Sequence, residues 1–151
     1  MNQIIEIFKN SKNNETKAIA YGAIRFFGGE EEKTMKELAK EIKNEPIQDF
    51  CSDALIEAYV SDMKMSKKFI SETTTYEEIE PLYSAVNFLS DYFCIRITEQ
   101  ELGLSLIRED ISQKINYLIQ YIQATFDAKG EKLLKNSGTW KMVLKCQAEM
   151  K

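Results

Sequence analysis

Apolar residues recur every three to four positions along almost the whole chain, which is the spacing of one face of an α-helix. A sustained alternation of apolar and polar residues, the pattern of a half-buried strand, is absent. The apolar stripes that predict helices span residues 4–8, 18–27, 35–42, 47–58, 79–93, 107–126 and 140–144. The pattern predicts an all-α fold of six to eight helices, and periodicity leaves open whether these form a compact bundle or an orthogonal array.

Start and stop signals separate these stripes. Gly28 and Gly29 are expected to end the second helix, because glycine adopts the left-handed backbone conformation that closes many helices. Pro46 fits the first position of the next helix, where its missing N–H is not needed. The run from Thr98 to Glu101 has the pattern of a capping box and predicts the start of the longest helix. The stretch from Cys94 to Thr98 also fits a short extended segment.

Length and composition predict one globular domain. The chain has 151 residues, of which 44% are hydrophobic and 29% charged, with two prolines and six glycines. These values are close to the globular average and far from those of disordered chains. Because no internal repeat and no long linker divides the sequence, residues 1–151 are expected to form a single helical domain.

Charge and cysteine content predict a soluble, cytoplasmic protein. The formal net charge of −4 gives no long-range attraction for nucleic acid or anionic membranes, so neither is expected as a direct partner. Glu6 and Lys9 interrupt the first apolar stripe, and no apolar run approaches the roughly 18 residues of a membrane span. Cys51, Cys94 and Cys146 form no CxxC pair and are expected to be reduced core thiols, with no zinc site.

The chain contains no histidine. This removes the usual general base at neutral pH, the commonest zinc ligand and the Ser-His and Cys-His pairs. Phosphate-binding glycine loops and the nucleophile-elbow motif are also absent from the sequence. We therefore predict a protein that is not an enzyme and that uses no metal and no cofactor.

An acidic array is the first candidate binding site. Glu45, Asp49, Asp53 and Glu57 are spaced by four and joined by Asp62, and no lysine or arginine occurs between the first and the last of them. On one helix these carboxylates would repel one another, so a compensating partner is one explanation. The array predicts a docking strip for a basic partner surface. A solvated face balanced by nearby lysines is the alternative, and a divalent metal site is a weaker one because it needs oxygen ligands from another segment.

A helix-turn-helix is a further interpretation of the same region. The stripe of residues 35–42, a turn at residues 43–46 and a second helix have the expected order. A recognition helix that begins with Asp49 and Asp53 would, however, press carboxylates toward DNA phosphates. The charges therefore disfavour DNA binding.

Two tyrosines form the second candidate site. Tyr117 and Tyr121 lie four positions apart and away from the apolar stripe of the longest helix. Exposed aromatic side chains of this kind often anchor interfaces. The alternative is that this helix is buried on two sides, with both rings in the core.

No motif in the sequence identifies a family. The hypothesis that fits the missing chemistry and the acidic array is a protein-interaction module, such as a small inhibitor, immunity, antitoxin or phage anti-defence protein that covers a basic surface. A self-associating helical assembly subunit that uses the side of Tyr117 and Tyr121 is the alternative, and a histidine-free enzyme is a third. The composition, rich in Lys, Ile, Asn and Glu, is compatible with an AT-rich microbial or phage genome.

Overall fold

The computed structural model describes residues 2–47, 53–67, 80–107, 110–126, 134 and 137–149. Within these ranges the chain forms helices joined by loops, and its only β-type pairing is one isolated bridge between Ile47 and Ile107. The all-α prediction is confirmed, and the seven helices in the described part of the chain agree with the predicted six to eight. They are α1 (Asn2–Asn10), α2 (Asn14–Phe27), α3 (Glu32–Ala39), α4 (Asp53–Lys67), α5 (Glu80–Leu102), α6 (Ser112–Phe126) and α7 (Gly138–Glu149).

The chain divides into two compact units. Unit 1 comprises Met1–Phe50 and Asp91–Glu109, and unit 2 comprises Cys51–Ser90 and Asp110–Lys151. The predicted single domain over residues 1–151 stays a prediction. Among the described residues, no helix combines the length and the apolar character that a membrane crossing requires.

Helix α2 is the central element of unit 1. The side chain of Asn13 caps its start by accepting a hydrogen bond from the backbone N–H of Glu15 at 2.8 Å. Its end is at Gly28, which has a φ of 74° and donates its N–H to the carbonyl of Ile24. The predicted glycine stop is therefore confirmed. The buried residues of α2 are Ala18, Ala20, Tyr21, Gly22 and Ile24.

The second half of α5 packs directly on α2 within unit 1. A Cβ built on Gly22 would lie 2.0 Å from the carbonyl oxygen of Cys94, so the two backbones touch where α2 has no side chain. The hydroxyl of Thr98 donates to the carbonyl of Ala18 at 2.7 Å and to that of Cys94 at 3.0 Å. Glycine in a helix interior is unfavourable by about 0.5–1 kcal/mol relative to alanine. The close approach to α5 explains why it occurs here.

Two sequence predictions for α5 are wrong. The stretch from Cys94 to Thr98 is helical and not extended, because it lies inside a helix whose Phe93, Cys94 and Ile95 are all buried. A buried helix carries apolar residues on several sides, and a short apolar run then resembles a strand. The run from Thr98 to Glu101 is not a helix start either, since it belongs to the last turns of α5. The hydroxyl of Thr98 is hydrogen-bonded to carbonyl groups, so it does not cap the N-terminus of a helix.

The expected helix start at Pro46 is also wrong. Pro46 and Ile47 are not helical, and the N–H of Ile47 donates to the carbonyl of Leu106 at 2.7 Å. The side chain of Asn14 holds the same segment through two hydrogen bonds to the backbone of Lys43. These partners come from distant parts of the chain and hold the segment in a non-helical conformation. With α3 ending at Ala39 and this segment following, the tight turn of a helix-turn-helix is not formed.

Besides the first part of α5, unit 2 contains α4, α6 and α7. The side chain of Asp110 accepts a hydrogen bond from the N–H of Ser112 at the start of α6, so this helix begins later than the sequence predicts. Ser137 accepts a hydrogen bond from the N–H of Trp140 and caps α7, which confirms the predicted terminal helix. The buried residues of these helices are Ile56, Val60 and Met63 in α4, Ile115, Leu118, Ile119 and Ile122 in α6, and Met142, Val143 and Cys146 in α7.

Candidate functional site

The acidic array is only partly on one helix. Glu57 and Asp62 lie on the exposed side of α4, where the side chain of Glu57 is 65% exposed. Asp53 is the first residue of that helix. Asp49, which the sequence predicts to belong to the same array, lies outside the described residues.

Glu45 does not lie on the helix that carries Glu57, and the prediction of four aligned carboxylates is wrong at this residue. It lies in the non-helical segment before Ile47, in unit 1, and its N–H donates to the carbonyl of Lys43 at 2.9 Å. The regular spacing of four persists in the sequence, but the non-helical backbone here does not follow the helical period. The acidic strip described by the structure therefore belongs to α4 alone.

The two tyrosines lie on α6 with different exposure. Tyr117 is 46% exposed and is one of three large apolar side chains that are exposed among the described residues, together with Ile7 and Phe27. Tyr121 is half-buried. Lys114, Tyr117 and Tyr121 follow one another at spacings of three and four, so they share one side of α6. The prediction of an exposed aromatic thus applies to Tyr117 more than to Tyr121.

Unit 2 brings the acidic strip and the tyrosines onto neighbouring helices. Helix α4 packs against α6, and the Nζ of Lys114 lies 3.9 Å from the Oε1 of Glu57. An ion pair this long and this exposed adds little stability. The ion pair is informative because it shows where the acidic side of α4 adjoins the tyrosine side of α6. We call the surface formed by Glu57, Lys114, Tyr117 and Tyr121 the α4–α6 surface, and Asp62 is exposed further round α4, five positions after Glu57.

The α6 side of the α4–α6 surface has the composition of an interface centre. Lys114 is the only charged residue of α6, whose other exposed or half-buried side chains include Gln113, Asn116 and Gln120. Interface centres are depleted in charge and enriched in tyrosine. On α4, small residues lie between the carboxylates, and the exposed ones are Ala54, Ala58 and Ser61. They leave space for a partner backbone to approach the helix.

A polar cluster in unit 1 was not predicted from the sequence. The hydroxyl of Tyr21 donates to the Oε1 of Glu101 at 2.7 Å, and Arg25 forms an ion pair with the same carboxylate. Arg25 also lies 3.3 Å from the Oε2 of Glu32. The pKa of Arg25 is raised, mainly by its hydrogen bond to Tyr21, whereas burial acts to lower this pKa. The guanidinium is neutralised by two carboxylates and holds α2, α3 and α5 together.

Glu99 is a second polar centre that the sequence did not reveal. It is buried, and its Oε2 accepts hydrogen bonds from the backbone N–H groups of Leu106 at 2.8 Å and Ile107 at 3.0 Å. Its Oε1 lies 2.8 Å from Nη1 of Arg96, whose Nε donates to the hydroxyl of Tyr92. One oxygen of this carboxylate thus fixes the loop after α5, and the other pairs with Arg96 within α5. Glu99 is therefore a structural residue.

An acidic cleft lies beside the first turn of α2. It has a volume of about 220 Å³ and is lined by Asn13, Asn14, Glu15, Glu45, Pro46 and Ile47. Burial raises the pKa of Glu15. Burial, followed by the negative charge of Glu15, also raises the pKa of Asp91 on α5 to about 6. The folded chain thus holds two carboxyl groups near each other in surroundings that disfavour their ionised forms.

We expect Asp91→Asn to stabilise the protein at neutral pH. The ordinary pKa of an aspartate is 3.8, so between that value and about 6 the folded chain binds a proton that the unfolded chain has lost. The contribution of Asp91 to stability therefore falls as the pH rises through this window and stays low above it. The melting temperature of the variant should exceed that of the wild type at neutral pH, and the difference should shrink toward zero as the pH falls toward about 4.

The control for this prediction is Asp62→Asn, which removes an equal charge from the exposed side of α4. The melting temperatures of this variant and of the wild type are compared over the same pH range. A melting temperature of Asp91→Asn that matches the wild type throughout would contradict the burial of this carboxyl group.

Metal ligation and cysteine chemistry can be assessed for the described residues. No group of three or more Cys, Asp or Glu side chains is placed to hold a metal ion in the part of the chain that the structure describes. Burial raises the pKa of Cys146 to about 11, so this residue is a thiol at neutral pH, whereas nucleophilic attack needs the thiolate. Cys94 is also buried.

No protein-family model matches this chain, and comparisons with curated proteins and with solved structures find no match either. The all-α fold and the α4–α6 surface therefore stand on the chain's own residues. A function for the chain has to follow from the chemistry of those residues.

Proposed function

We propose that this protein is a non-enzymatic interaction module that binds a basic surface of another protein through the α4–α6 surface. The observation that carries the proposal is the contact between Lys114 and Glu57, which brings the exposed acidic side of α4 next to the exposed Tyr117 of α6. Small inhibitors, immunity proteins, antitoxins and phage anti-defence proteins that cover a basic site are the class that this chemistry fits.

Electrostatics and packing have separate parts in such an interface. Glu57 and Asp62 would attract a basic partner over a distance of about one Debye length, roughly 10 Å at 0.1 M salt, and so raise the association rate. Tyr117 would supply apolar area and a hydroxyl group at little cost in side-chain entropy. The partner chemistry is therefore a lysine- or arginine-rich protein surface with an apolar site that can accept a tyrosine ring.

We further propose that the protein is not an enzyme and that it resides in the cytoplasm. The chain has no histidine, and the Cys146 thiol is poorly suited to nucleophilic attack. The free thiol of Cys146 suits a reducing compartment.

Charge reversal of the acidic side of α4 should weaken binding. The wild type is used to isolate a partner from the native host, the partner is purified, and its binding to the wild type and to Glu57→Lys/Asp62→Lys is measured by surface plasmon resonance. We expect an association rate constant about tenfold lower for the variant at low salt, with a smaller difference at high salt, because steering by charge is screened.

The matched control is Glu37→Lys/Glu41→Lys, which reverses two exposed carboxylates in unit 1. Both double variants shift the formal net charge from −4 to zero, so they differ only in where the charge changes. If the two variants bind equally well, or if the reversal on α4 leaves the rate unchanged, α4 is not part of the recognition surface.

Tyr117→Ala should reduce affinity without reducing stability. Truncation of an aromatic interface anchor typically costs about 2 kcal/mol or more, which corresponds to about a 30-fold weaker affinity. Because Tyr117 is 46% exposed, the melting temperature should stay close to that of the wild type. Isothermal titration with the purified partner measures the first effect and circular dichroism the second.

Gln120→Ala, at an exposed position one turn further along α6, is the control for this truncation. Equal affinities for Tyr117→Ala and the wild type would remove Tyr117 from the interface. Sedimentation analysis of the wild type tests the alternative of self-association. A dimer that Tyr117→Ala converts to a monomer would replace the basic partner by a second copy of this chain.

A further inference from the structure

We draw no further inference here: the strongest candidate, the cleft beside the first turn of α2 that is lined by Glu15 and Glu45, is an acidic cluster for which nothing in the structure identifies a ligand.

Discussion

Gly22→Ala is expected to destabilise the protein by about 3 kcal/mol, although alanine is the better helix former. The added Cβ would lie 2.0 Å from the carbonyl oxygen of Cys94 and 2.7 Å from its Cα. Both atoms belong to the backbone, so no side-chain rotation can relieve the overlap. Helices α2 and α5 would have to move apart, which would also lengthen the 2.7 Å hydrogen bond between Thr98 and Ala18.

Chemical denaturation followed by circular dichroism measures this loss, and Gly138→Ala is the matched control. Gly138 is the first residue of α7, and a Cβ at that position would meet no atom within 4 Å. The control should therefore be neutral or more stable by up to about 1 kcal/mol, because alanine restricts the unfolded chain. A Gly22→Ala variant as stable as the control would show that α2 and α5 do not approach so closely.

Glu99→Ala is expected to cost about 3–5 kcal/mol, which is typical when one partner of a buried charged pair is removed. The substitution leaves the N–H groups of Leu106 and Ile107 without their acceptor and Arg96 without its carboxylate. Leu106 itself is fully buried, so water cannot simply replace the lost bond. Glu99→Gln keeps an acceptor oxygen but not the charge, and its loss should be smaller.

Hydrogen exchange gives a site-specific test of the same substitution. The amide protons of Leu106 and Ile107 should exchange faster in Glu99→Ala than in the wild type, by more than the change in global stability explains. Gln100→Ala changes the next, exposed residue of α5 and should stay within about 0.5 kcal/mol of the wild type. If Glu99→Ala and Gln100→Ala had the same stability, Glu99 would not hold the loop after α5.

Helices and their apolar sides were predictable where the deciding interactions are local. Gly28 shows this well, because the left-handed conformation that ends α2 is a property of the glycine itself. The stripe of α6 is another example, since Ile115, Leu118 and Ile122 are buried as their spacing predicts. Repetition over several turns made these predictions robust against single exceptions.

The predictions that failed depend on distant residues. The backbone of Ile47 pairs with that of Leu106, and this non-helical segment could not be predicted from the local helical spacing after Pro46. Thr98 had the residue type of a cap, but its hydroxyl bonds a carbonyl 80 positions away along the chain. In both cases a tertiary partner outweighed the local preference.

The candidate site combines both kinds of information. The sequence indicated two alternative binding patches. One includes the carboxylates of Glu57 and Asp62, and the other includes the aromatic ring of Tyr117. Packing of α4 on α6 places the patches beside each other, with Lys114 near Glu57. Glu45, which shares the sequence spacing, does not continue the helical strip because its backbone is not helical.

The sequence by itself determined the all-α class and the apolar faces of most helices, because residue type and three-to-four spacing act over a few neighbouring positions. It also shows directly that histidine is absent. The tertiary structure decided the contact of Gly22 with Cys94, the loop held by Glu99 and the pairing of α4 with α6. These depend on which distant surfaces meet, and that choice follows from close packing and from satisfying buried backbone groups across the whole unit.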